Sequence, residues 1–544
     1  MAVRDWAFVS SVAFFTALGG CIYGYAVGSM NGLQNFAGFL ETFELGEESS
    51  NSTCSETSNI AENKQLILGA IISVVSLGAA VGPLLAGKPA DYFGRKVTLV
   101  MSGVLVVVGG SIQSAAFHGA VWMLIVGRLV AGLGYGVIWL AGPLYVAEIA
   151  PKNIRGRLTS LFGPNLAMGI LIGYVTNFLL YDKSFGWRVS RILTCVLGLV
   201  YFLGMILVPR SPRWLMLKGR ESEARDVLRK TVSKLGQEGI ESELEDIRQS
   251  LNSGPKINIL QELILIMKWR NLKRVLLGIV LHMFAAGCGT AIYFYSEPLF
   301  CSLGIVPFVT ALVIGLMSLC GSTFTTIFID KLGRKPMLVG GSLIMFLLSG
   351  TAATLVYAFS LEEDNNVVVG YIVVCLVCLF LFVYSSTWFI IPWVVTSEIF
   401  SLEGRGIAVA ISTTANWSLI YASTQSFPSL LVSIKSFGSL YMFSLINLAA
   451  ALFVIFFLPE TKGITLEQMG KVFAKPWLER VGLTSCCRSR CYHTRNNVRG
   501  DSADVKDEDS NAMSTIAVVS TEHDKENEYY IENYLRHQNL TASL

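Results

Sequence analysis

Apolar runs of about 20 residues, each long enough to cross a bilayer as a helix, recur along the chain between short polar stretches. They predict twelve spans near 7–30, 66–87, 97–117, 120–142, 158–181, 188–208, 273–297, 305–329, 336–358, 367–397, 405–430 and 437–458. Three longer polar stretches break the rhythm. Residues 39–64 are acidic and rich in Ser and Asn. Within 209–272, Glu221–Lys230 and Glu241–Arg248 carry the spacing of short amphipathic helices, expected to lie under the membrane domain. From about 476 the chain is polar to its end, a composition that predicts disorder.

The polar connections repeat. Asp91-Tyr-Phe-Gly-Arg-Lys96 returns as Asp330-Lys-Leu-Gly-Arg-Lys335 (330 − 91 = 239), each copy wedged between two apolar runs. Glu148, followed by Arg155-Gly, returns as Glu398, followed by Arg405-Gly (398 − 148 = 250). Pro209-Arg-Ser-Pro-Arg-Trp-Leu215 and Pro459-Glu-Thr-Lys-Gly463 also stand 250 apart (459 − 209 = 250). Two halves duplicated in tandem are a transporter's plan. They divide the chain into a six-helix bundle at 1–208, a helical linker at 209–272, a second bundle at 273–458 and a tail at 459–544. The carboxylates and arginines at matching places, Asp91, Arg95, Glu148 and Arg155 against Asp330, Arg334, Glu398 and Arg405, are candidates for a charge network. Such a network would hold the halves together in one conformation and break in another.

Composition agrees with a membrane protein: of 544 residues 53% are hydrophobic and 15% charged, 50 are Gly, and the mean hydropathy is +0.55. The net charge of +3 matters only through its placement. Lys and Arg crowd Arg95/Lys96, Lys152/Arg155/Arg157, 210–274, Arg334/Lys335 and the tail, whereas the alternate loops offer mainly Lys64, Lys183 and Lys435. The positive-inside rule then predicts that both termini are cytoplasmic; the membrane expected is the plasma membrane. Met1-Ala-Val-Arg-Asp-Trp6 leads straight into a full-length span without a cleavage site. Asn51-Ser-Thr53, on the predicted outer loop, is a glycosylation candidate. Cys54 and Cys301 on the same side could bridge, and Cys486, Cys487 and Cys491 beside arginines could be acylated.

No Gly-rich phosphate loop, Walker lysine motif, metal-ligand spacing or catalytic constellation occurs in the chain. The expectation is a non-enzyme with no cofactor, no metal and no nucleic-acid partner, working on a small solute in a lipid bilayer. Arg128, within the fourth apolar run, needs a cavity or a partner at membrane depth.

Taken together, Asp91–Lys96, Pro143-x-Tyr-x-x-Glu148, Arg155-Gly, Pro209-x-Ser-Pro-Arg-Trp-Leu215 and Pro459–Gly463 resemble the sugar porter family of the major facilitator superfamily, which includes the facilitative glucose transporters. The resemblance runs from about 10 to 473. It implies an all-α fold of twelve helices in two six-helix bundles, with a cytoplasmic helical domain between them. Transport would proceed by rocking around a midplane site.

The expected site departs from the family's pattern. Ala26 stands where similar proton symporters carry Asp, which argues for facilitative uniport. Gly163 replaces the fifth-span Gln, Phe284–Thr290 replaces the Gln-Gln-x-x-Gly-x-Asn pattern, and Ser318 replaces an Asn. Trp393, Asn416-Trp417 and Tyr295-Ser296 survive. Trp393, Asn416, Trp417, Thr290 and Asn165 are therefore the candidate solute contacts for a sugar or a related polyhydroxylated or glycosidic compound. Two other readings stay open: a proton-coupled symporter of a sugar-like or anionic solute, with His282 a candidate coupling group, and a sensor that binds solute without moving it.

Overall fold

The computed structural model describes residues 7–31, 36–45, 62–151, 154–180, 183–231, 236–252, 267–293, 307–361, 367–400, 405–464 and 469–474. Asn51, Cys54, Cys301, Tyr295, Ser296 and the tail cysteines lie outside them.

Apolar runs become helices because a chain in hydrocarbon must satisfy its backbone groups within itself. The first half contains Ala7–Asn31, Glu62–Tyr92, Arg95–Ser114, Val121–Ile149, Arg155–Ser160 leading into Phe162–Leu180, and Gly186–Leu207. The second contains Trp269–Gly287, Pro307–Leu332, Arg334–Leu361, Val367–Ser386 leading into Ile391–Ile399, and Arg405–Phe457. Packing obeys the duplication. The first span lies on the fifth as the seventh lies on the eleventh, and the second lies on the fourth as the eighth lies on the tenth. Between halves, the second span meets the 405–457 stretch and the fifth meets the eighth. The result is the twelve-helix, two-bundle fold.

Two details differ from the expectation. Eleven helices among the described residues are long and apolar enough to cross a membrane. The remaining crossing, 405–434, is diluted by Ser412, Thr413, Thr414, Asn416, Ser418, Ser423, Thr424 and Gln425, and it runs without a loop into Ser433–Phe457. Lys435, at φ 58° and ψ 177°, alone breaks the helix between them. The tenth span is also broken: turns at 387–390 precede a second segment that starts at Ile391-Pro392.

After the sixth span come Pro212–Leu217, Glu221–Thr231 and Gly236–Asn252. Ser211 caps the first of these, accepting from Trp214 N at 3.3 Å, with Pro212 opening the helix. The three share a small apolar core of Trp214, Leu215, Ala224, Leu228, Ile240 and Leu244. The ion pairs Arg225–Glu241 (2.5 Å) and Arg248–Glu221 (2.8 Å) tie the two longer helices together.

Candidate solute site and charge network

The repeated hairpins fold alike. Gly94 and Gly333 sit at φ +90° and +91°, where a Cβ would be strained and would also meet the Trp214 ring in one case and the Glu460 carboxylate in the other. Each glycine turns the chain so that the next residue, Arg95 or Arg334, opens a span with its side chain buried. Arg95 pairs with Asp91 at 2.9 Å and Glu148 at 3.0 Å. Arg334 pairs with Asp330 at 3.1 Å and Glu398 at 2.8 Å. The second oxygen of each buried glutamate accepts from a hydroxyl, Ser211 on Glu148 at 2.6 Å and Thr461 on Glu398 at 2.7 Å. Lys96 and Lys335 likewise donate to Ile206 O and Ile455 O. The duplication thus extends to individual hydrogen bonds.

This end of the molecule is closed by contacts between the halves. Arg157 N donates to Asp330 Oδ2 at 2.9 Å, and Ser160 shares a hydrogen bond with Thr326 at 3.2 Å. Gly156 lies against the Arg334 guanidinium and Asp330 carboxylate, and Gly406 against Asp91 and the Gly87 carbonyl. Arg405 is fully buried; it donates to Ser397 O and feels the Glu148 charge from the other half, opposed by Arg213, Arg95 and Arg155. Arg155 is buried in the same cluster. The structure therefore brings all eight charged candidates to one end.

A cavity of about 50 Å³ lies between the halves. Four aromatic residues of its lining touch in pairs, Trp139 with Trp393 at 4.6 Å between ring centroids and Tyr23 with Trp417 at 4.9 Å. Thr290, whose hydroxyl shares a 2.7 Å hydrogen bond with Tyr384, and Asn416 supply polar groups to the lining. Among the described residues, Nε1 of Trp139 and of Trp417 has no hydrogen-bond partner, so each indole keeps an unused donor. Aromatic faces around a few convergent polar groups match the needs of a ring with an apolar side and hydroxyls at its rim. At this volume the cavity holds a few waters, so a solute enters only when the walls part.

Four of the five expected contacts, Trp393, Asn416, Trp417 and Thr290, line the cavity; Asn165 does not. Its amide donates instead to Leu161 O at 2.9 Å, one turn back on its own helix. Tyr23, Trp139, Tyr293, Tyr384 and Phe389 line it without having been singled out from sequence. His282 stands behind Trp393, its ring 4.6 Å away and its Nε2 3.1 Å from the Thr396 hydroxyl. Arg128 is buried away from the cavity lining and donates to Ile72 O at 3.1 Å.

A family model described as "Sugar (and other) transporter" matches residues 12–473. "Sugar carrier protein C" of Ricinus communis is 29% identical over 493 residues, covering 86% of this chain and 90% of that protein. "Hexose transporter HXT10" of Saccharomyces cerevisiae is 30% identical over 486 residues, 86% of each. Among solved structures, the proton:xylose symporter XylE bound to 6-bromo-6-deoxy-D-glucose matches with TM-score 0.75 and 25% identity, covering 86% of this chain and 100% of that one.

Proposed function

The chain belongs to the sugar transporter family of the major facilitator superfamily, and from that premise we propose that it moves a sugar or closely related polyhydroxylated solute by facilitative uniport. It is a non-enzymatic, multi-pass membrane carrier. The proposed units are the bundles 1–208 and 273–458, the linker 209–272 and the tail 459–544. In this reading the solute sits among Trp139, Trp393, Trp417, Tyr23, Asn416 and Thr290. The network of Asp91, Arg95, Glu148 and Arg155 with Asp330, Arg334, Glu398 and Arg405 closes one end and must break for that end to open. We place the carrier in the plasma membrane; the placement of Lys and Arg supports an orientation with the charged end and both termini in the cytoplasm.

The observation that carries uniport is the lining itself: among the described residues it contains no Asp, Glu, His, Lys or Arg. Ala26 in the first span likewise offers a proton no acceptor. One feature favours a second reading, proton-coupled symport. His282 is buried against Trp393 and its Nδ1 lacks a hydrogen-bond partner, so a protonation there would be felt at the cavity wall. Uptake of labelled glucose, xylose, a disaccharide, a polyol and a glycoside into proteoliposomes tests both readings. Saturable flux of one sugar class, unchanged by an imposed proton gradient, is the result expected. Flux that requires the gradient and is lost in His282→Gln would replace uniport by symport.

A further inference from the structure

The network and the cavity leave two buried charges unused. Arg128 and Arg191, on the fourth and sixth spans, are 3% and 2% exposed and lie toward the end of the first half away from Asp91 and Arg95. Arg191 Nη2 donates to Ser29 Oγ at 2.6 Å and Ser190 Oγ at 3.1 Å; Ser190 Oγ also shares a 3.2 Å hydrogen bond with the Tyr25 hydroxyl. Arg128 spends one nitrogen on the Ile72 carbonyl. The two guanidiniums are close enough for Arg191 to repel Arg128, and both act on Tyr135. Among the described residues, Nε of each arginine and the Tyr135 hydroxyl have no hydrogen-bond partner. Among the described residues no Asp or Glu forms an ion pair with either arginine.

Guanidinium stays protonated in proteins, so the pair cannot shed its charge to suit its surroundings. Two like charges buried without a counter-charge are among the costliest arrangements a membrane protein can hold. Of the open polar atoms near them, two N–H groups and a hydroxyl can donate, and one, Asn177 Oδ1 beside Ser29, accepts. Cations and donors converging with no carboxylate are what an anion needs. We propose that a small monovalent anion binds between Arg128 and Arg191, within reach of the Tyr135 hydroxyl. The anion is either a free inorganic ion or the carboxylate of an acidic solute; both present the same chemistry to the site. Tyr135 packs on Tyr23 at 5.5 Å, and Tyr23 lines the cavity, so occupancy would also be felt at the solute site.

The inference rests on the arginines and holds whether or not the cavity carries sugar. The test is the melting temperature of the full chain in detergent at constant ionic strength, with chloride titrated against isethionate and, separately, glucuronate against isethionate. Saturable binding to the folded state should raise the melting temperature by about 1 °C per tenfold rise in anion above its dissociation constant. The rise should vanish in Arg128→Gln and Arg191→Gln and survive in Arg191→Lys. Tyr135→Phe, which removes only the open hydroxyl, covers the case in which the arginine variants do not fold; there the anion's midpoint should move several-fold upward. A shift with chloride assigns the site to a free ion, and a shift with glucuronate alone assigns it to a solute carboxylate. Equal melting in all three salts, or an anion shift that persists unchanged in Tyr135→Phe and the Gln variants, overturns the proposal.

Discussion

Gly406→Ala is the sharpest perturbation of the closed end. A Cβ at Gly406 would stand 2.6 Å from both Asp91 Oδ2 and Gly87 O. The carbonyl belongs to the second span's backbone and cannot turn aside, and the carboxylate is held by Arg95 at 2.9 Å. Relief requires the two halves to separate locally. Overpacking of this kind costs about 1–3 kcal/mol, and the cost falls only on the conformation in which Gly406 touches the second span. The balance should then move toward opening of this end by roughly 5- to 150-fold. The readout is a Ser160→Cys probe in a chain cleared of its native cysteines, since Ser160 is fully buried and faces Thr326 of the other half. Labelling by a water-soluble maleimide in membranes should run at least about fivefold faster with Gly406→Ala. Gly156→Ala, which drives a methyl into Arg334 and Asp330, should do the same. An unchanged labelling rate in a folded, membrane-inserted Gly406→Ala protein would refute the reasoning, because the contact would then not hold this end shut.

Three further outcomes are expected. Glu398→Gln leaves Arg334 with Asp330 and the Glu460 charge; losing one charged partner at a buried site costs about 1–3 kcal/mol, read as a lower melting temperature together with faster labelling of the Ser160→Cys probe, and Glu148→Gln should match it in the other half. Trp393→Ala and Trp417→Ala remove facing walls of the cavity and should each lower kcat/KM for the transported sugar by at least about tenfold, equivalent to about 1.4 kcal/mol, while Trp393→Phe keeps most of the flux. Glu460 accepts from the backbone N–H of Arg334, Lys335, Thr461 and Lys462; Glu460→Ala should cost about 0.5–2 kcal/mol in thermal unfolding, as a lost helix cap does.

The fold was legible because the bilayer enforces it: apolar runs must be helices, and the returning Asp-x-x-Gly-Arg-Lys hairpin exposes the duplication. The eleventh span was the hardest to place as a structural element, since its Ser, Thr and Asn residues lower its apolarity and Lys435 turns the chain without a polar loop. The charge network was legible at the level of residues, because ionised groups beside apolar runs are few and must find one another. The cavity was legible only in part. Tyr23, Trp139, Tyr293 and Tyr384 are aromatic residues within apolar runs, and periodicity does not separate a cavity wall from ordinary helix packing. Trp139 stands one turn from Tyr135 on the fourth span, a spacing that hinted at an aromatic face. Asn165 failed for a simple reason: an amide inside a helix can satisfy itself on the carbonyl four residues back, and this one does. Arg191 carries the same signal that marked Arg128, an arginine inside an apolar run.

The central claim is facilitative carriage through a cavity whose described lining residues include no Asp, Glu or His. Its most direct test is the steady-state ratio of labelled sugar inside to outside proteoliposomes bearing an imposed proton gradient, taken with and without an uncoupler. Uniport predicts a ratio of about one in both conditions, reached faster than in empty liposomes. A ratio well above one that collapses with the uncoupler would contradict it.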